Sequence, residues 1–162
     1  MDLIKASLFV LALATAPLAL ATTVNLTAAD RSFLSDAATA NQKEIDVSKM
    51  AQQQASSSAV KSFAGTMVRD HTKLGVSMKA TFGDAVTPAP SEPPSELSGK
   101  TGKDFDKAYM DLMVSDHASV QDKFEQASKS ADYSKAVHKA AAHALPTLKH
   151  HAAMAKSIDA KV

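Results

Sequence analysis

The segment Gly83–Gly102 holds Pro88, Pro90, Pro93 and Pro94 together with three of the chain's five glycines. Proline removes a backbone donor and glycine adds backbone entropy, so this stretch interrupts any regular element. It is also too short to be a domain. In an extended polyproline form about twenty residues reach ~60 Å, whereas a helix of about 24 residues is only ~36 Å long. The segment can therefore return along a whole helical bundle, which predicts that the helices on either side of it run parallel. A plain up-and-down bundle needs only about two to eight residues at that point.

Both flanks read as helix, with two on each side, and no stretch alternates in the manner of a strand. Helix 1 is expected to open at Thr27, where Thr27-Ala28-Ala29-Asp30 has the spacing of a capping box, and to run to about Gln54. At about 100° per residue, Phe33, Ala37, Ala40, Glu44, Val47, Ala51 and Ala55 form one stripe. Ser56-Ser57-Ser58 breaks that stripe and is expected to cap helix 2. Helix 2, residues 59–82, turns Val60, Phe63, Ala64, Met67, His71, Leu74, Met78 and Phe82 inward. Helix 3, residues 103–127, does the same with Phe105, Tyr109, Met113, Val120 and Phe124. In helix 4, residues 133–158, the inward set is Val137, Ala141, Ala144, Leu148, His151, Ala155 and Ile158, and Pro146 predicts a kink. The fold class is all-α, a four-helix bundle with a long Pro-rich crossover between helices 2 and 3.

With 45% hydrophobic and 22% charged residues and a net charge of +1, the chain fits one globular domain. There is no basic surplus to displace counterions from nucleic acid. The absence of cysteine excludes disulfides, thiolate metal sites, iron–sulfur clusters and cysteine nucleophiles. At the N-terminus Lys5 precedes an apolar run, Ala6–Ala21, that closes on Ala19-Leu20-Ala21. These are the parts of a secretory signal peptide, and the run of about 16 residues falls short of the ~20 a spanning helix needs. Cleavage after Ala21 is expected, leaving residues 22–162 in the periplasm or medium. The alternative is an uncleaved N-terminal membrane anchor. No other segment is apolar enough to span a membrane.

Two segments echo one another, Met67-Val68-Arg69-Asp70-His71 and Met113-Val114-Ser115-Asp116-His117, each near the middle of its helix. Taken with the apolar leader, Phe105-Asp106-Lys107-Ala108-Tyr109, and Leu145-Pro146-Thr147-Leu148 followed by His151, they give the chain its resemblance to domain-of-unknown-function family 4142. The resemblance covers nearly all of residues 28–158. It implies an exported bacterial protein with a ferritin-like four-helix bundle, and it brings no established activity.

Chemistry must come from histidine and carboxylate. His71 lies at the centre of its stripe, His117 on the flank of its own, His151 inward on helix 4 and Glu44 inward on helix 1, a set that suits zinc, iron or copper. A di-iron oxidase needs Glu-x-x-His on two helices; Val68, Val114 and Leu148 occupy the positions three before the histidines, so that motif is missing. Met67–His71 and Met113–His117 are i, i+4 pairs that place thioether and imidazole on one face, as Cu(I) favours, although methionines at this spacing also serve as core filler. A buried polar network is the other reading: with helices 2 and 3 as neighbours, Asp70 would meet His117 and Asp116 would meet His71. Counting residues from the helix ends offsets His117 from His151 by ~9 Å, which weighs against one site holding all three histidines. His138, His143 and His150 read as solvated. No nucleophile elbow or phosphate-binding glycine loop is present, so no catalytic residue is assigned. The sequence thus supports an exported non-enzymatic bundle with an envelope-binding or stress-related role, its partner an envelope protein or a second copy. The alternative is a periplasmic transition-metal-binding protein using His71, His117, His151, Glu44, Met67 and Met113. A metal-dependent oxidoreductase is a third class.

Overall fold

The computed structural model describes residues 24–162, so the expected leader and its cleavage site lie outside the described residues. The chain forms α1 (Ala28–Gln54), α2 (Ser58–Phe82), α3 (Gly102–Ala127) and α4 (Lys135–Asp159), with no strand among the described residues. It is an all-α four-helix bundle. Helix α1 packs along α2 and α3 along α4, as two antiparallel hairpins, while α2 touches α4 and α1 touches α3 more sparsely. Helices α2 and α3 therefore stand on a diagonal of the bundle rather than side by side.

The link delivers the crossover. Gly102, at the start of α3, pairs with Ala55 just before α2, so the two helices begin at the same end and run parallel. Short 3-10 turns at Gly83–Ala85 and Ser95–Leu97 punctuate the link. Val86 and Leu97 bury their side chains in opposite halves of the core, and the Ala89 N–H donates to Thr39 Oγ1 at 2.9 Å, which ties the segment to α1 midway.

Two carboxylates lock the hairpins together at opposite ends. Thr27 and Asp30 form the expected capping box, with the Thr27 N–H donating to Asp30 Oδ2 and the Asp30 N–H to Thr27 Oγ1. The second oxygen of Asp30 accepts from the Ser134 N–H at 2.9 Å, so one buried side chain ties the starts of α1 and α4. At the other end the serine cap differs from expectation: Ser57 is the N-cap of α2, but its hydroxyl caps nothing. Asp106 of α3 does that work, accepting from the Ser56 and Ser57 N–H groups at 2.9 and 2.8 Å and from the Ser56 hydroxyl. A carboxylate at a helix N-terminus also meets the positive end of the helix dipole.

The stripes bury as their spacing predicts, with Leu74, Val120 and Ile158 only half-buried. Leu34, Ala38, Ile45 and Ser48 extend the buried face of α1, while Phe33 and Ala40 are half-buried. Helix α4 continues through Pro146, which lies on the exposed side where the carbonyl it leaves unpaired can meet water. Apolar residues separate into two clusters. One gathers Val47, Val60, Phe63, Met67, Phe105, Tyr109 and Met113 towards the starts of α2 and α3. The other gathers Leu34, Met78, Phe82, Phe124, Val137 and Leu148 towards their ends. On every helix the boundary between clusters falls at a polar residue: Glu44, His71, His117 and His151.

Replacing Asp106 with alanine strands two N–H groups at the start of α2 and should destabilise the bundle by about 2 kcal/mol in urea unfolding. Ser57→Ala, which removes no cap, should stay within ~0.5 kcal/mol of the parent.

Candidate metal centre

The layer between the two apolar clusters brings one polar side chain from each helix to the bundle interior. His151 is 0% exposed, His117 1%, and His71 and Glu44 4% each. His71, His117 and His151 each offer a ring nitrogen within 4.8 Å of the others. Their ring centroids are 5.9 Å (His71–His117), 5.3 Å (His71–His151) and 5.6 Å (His117–His151) apart. The ~9 Å offset expected from counting residues does not arise. A helical side chain leans towards its own N-terminus, so in the antiparallel α3–α4 pair His117 reaches away from the connecting turn and His151 reaches towards it.

Each imidazole is held by one nitrogen. His71 Nδ1–H donates to Asn41 Oδ1 at 3.0 Å. His117 Nδ1–H donates to the Met113 carbonyl at 2.9 Å, and His151 Nε2–H to Asp70 Oδ2 at 3.2 Å. All three acceptors are oxygens, which fixes the neutral tautomers. The remaining nitrogens, His71 Nε2, His117 Nε2 and His151 Nδ1, are buried lone pairs without a hydrogen-bond partner among the described residues, and Glu44 Oε2 is in the same condition. Among the described residues these four atoms are the only buried side-chain nitrogens or oxygens so left. Buried polar groups are normally satisfied, so four exceptions in one layer call for a ligand.

Electrostatics keep the donors ready. Burial, reinforced by the neighbouring His151 and His117, pushes His71 down to about 3. Burial likewise lowers His117 to about 4 against the pull of the Met113 carbonyl, and lowers His151 against the hydrogen bond to Asp70. Asp70 is raised by burial, but hydrogen bonds from Arg69 and His151 outweigh this and hold it below the usual carboxylate range. Glu44 is pushed up to about 8 by burial and by the nearby Asp116 carboxylate, with Lys43 opposing.

The reciprocal network expected of the echoed motifs is not what forms. With α2 and α3 on a diagonal, His71 and His117 face each other across the core, and each aspartate turns instead to the adjacent helix. Asp70 serves His151 of α4, while Asp116 pairs with Lys43 Nζ of α1 at 2.9 Å and lies beside Glu44. The echo thus marks two equivalent places flanking one layer. Met67 and Met113 are fully buried one turn below the histidines, in the cluster with Phe63 and Tyr109. His143 and His150 are exposed, but His138 is half-buried and donates from Nε2 to the Ser130 carbonyl at 2.7 Å, closing the α3–α4 turn. Asn41, on the flank of the α1 stripe, and the Met113 carbonyl carried no sequence signal of their own.

A cleft of about 430 Å³ opens on the layer between α1 and α3. Exposed Ser32, Asp36, Lys123 and Gln126 form its mouth, Phe33, Leu74, Met78, Val120 and Phe124 line its walls, and Asn41, Glu44, His71 and His117 lie at its inner end. The alanines of α1, Ala29, Ala37 and Ala40, are too small to fill the space opposite α3 and so leave it open.

Residues 15–158 match the family described as Domain of unknown function (DUF4142). The chain belongs to that family. No curated protein and no solved structure matches it. Membership in DUF4142 thus assigns no chemistry to the histidine layer, and its geometry has to carry the reading. No helix of this family member, among the described residues, is long and apolar enough to cross a membrane.

The layer gives the metal-free protein a defined pH response. The histidines are depressed from 6.5, so the stability they confer is present above pH 6.5 and is lost as the pH falls, towards about 4 for His117 and about 3 for His71. Glu44 has the opposite sign: its contribution is whole below pH 4.5 and is lost as the pH rises to about 8. Three histidines outweigh one glutamate between these ordinary values, and Glu44 acts alone above them. Urea unfolding of chelator-treated protein should show greatest stability near pH 6.5, with a steep acid side. In Glu44→Gln the shallow decline between pH 6.5 and 8 should vanish.

Proposed function

We propose that this protein is an exported transition-metal-binding protein that holds one divalent ion with His71, His117 and His151, with Glu44 beside it. The observation that carries the reading is the set of three tautomer-fixed imidazoles whose unpartnered nitrogens lie together in a buried layer. A tetrahedral site has metal–nitrogen distances of ~2.0–2.1 Å, and one ring nitrogen of each histidine lies within 4.8 Å of the other two. Neutral imidazoles need no deprotonation before binding. Asp70, Asn41 and the Met113 carbonyl are the outer partners that orient ligating histidines elsewhere. Three imidazole nitrogens suit Zn²⁺, Cu²⁺ or Fe²⁺ and leave a fourth position open. A di-iron centre draws on several carboxylates, and here a single glutamate faces three histidines. Export rests on the Lys5 and Ala6–Ala21 leader.

Chelator-treated protein should take up one equivalent of Zn²⁺, measured by native mass spectrometry, and its melting temperature should rise by roughly 5–10 °C at about a hundredfold excess over Kd. His117→Leu should lose the ion while keeping metal-free stability within ~1 kcal/mol, because leucine removes an unsatisfied polar atom from the buried interior. Retention of zinc by this variant, or a cost of 3 kcal/mol with no zinc bound by the parent, would show the histidines to be structural.

A further inference from the structure

The metal reading leaves the cleft unexplained, and the following inference rests on that reading. Two of the three histidines, His71 and His117, line the inner end of the cleft, whereas His151 does not. An ion held by the three would therefore turn its remaining coordination position towards the cleft. Neutral imidazoles leave a divalent ion's charge intact, and even with Glu44 ionised beside it one positive charge remains. In a low-dielectric layer such a charge demands an anion. The walls favour one kind: Phe33, Leu74, Val120 and Phe124 offer apolar surface along the approach, while Ser32, Asp36, Lys123 and Gln126 keep their polar groups at the mouth. A volume of about 430 Å³ lies within the range of small-molecule sites, which pair apolar walls with a few polar groups at one end.

We propose that the cleft binds a small amphiphilic monocarboxylate, its hydrocarbon body against Phe33, Leu74, Val120 and Phe124 and its carboxylate on the ion held by His71, His117 and His151. Decanoate is a suitable probe, with decanol as the matched body lacking the charge. Titration calorimetry on zinc-loaded protein should show decanoate binding at least about tenfold tighter than decanol, a gain lost when zinc is removed. Ala40→Phe places a ring in the cleft without replacing any of the three histidines; it should keep its zinc and its helical circular dichroism yet weaken decanoate at least about tenfold. Val120→Trp gives a second block should the first fail to fold. Zinc-loaded protein that ignores decanoate, or binds it equally with and without zinc, overturns this inference and leaves the metal site standing. Binding unchanged in a folded, zinc-retaining cleft variant also overturns it. Failure to retain zinc at all is read separately by mass spectrometry and removes both proposals.

Discussion

Three imidazoles, each donating one N–H outward to an oxygen, leave their other nitrogens in the interior with nothing among the described residues to bond. The rest of the structure is arranged around that constraint. Filling the layer with leucines would satisfy packing at no polar cost. The chain instead divides its apolar core in two and sets four buried polar groups at the boundary. Burial suppresses protonation of the histidines, and their proximity reinforces it, because a charge on one is unfavourable for the next. The groups in the layer that carry charge stand on its flanks, where Asp70 meets Arg69 and Asp116 meets Lys43.

The connectivity makes this layer possible. Because the link returns along the bundle, α2 and α3 run parallel on a diagonal, and two copies of the same short motif reach the same height from opposite corners. Each motif then presents its histidine to the centre and its aspartate to the helix beside it. Asp30 and Asp106 hold the hairpins in register from the two ends, so that residues on four separate helices arrive at one level. Sparse contact between α1 and α3, with alanines on the α1 side, leaves the layer reachable from outside.

Much of this was legible in the residues. Period 3.6 placed the inward stripes, Thr27 and Asp30 announced the first helix, and the prolines of the link implied the crossover. His71, His151 and Glu44 stood out as polar residues on apolar stripes. What could not be read was depth and neighbourhood. Residue counting misjudged the height of His117 against His151 because it follows backbone rise and not the direction in which side chains lean. Spacing alone pairs Asp70 and Asp116 with the wrong histidines, because nothing in it tells parallel helices on a diagonal from parallel helices side by side. The Met113 carbonyl and the capping role of Asp106 depend on tertiary approach, which composition and spacing do not encode.

The central claim is that three neutral imidazoles are locked with their lone pairs inward. Long-range proton–nitrogen correlation NMR on metal-free protein near pH 7 tests it directly. The account predicts neutral rings for all three, with the proton on Nδ1 of His71 and His117 and on Nε2 of His151. Imidazolium signals, or the opposite tautomers at any two of the three, would contradict it.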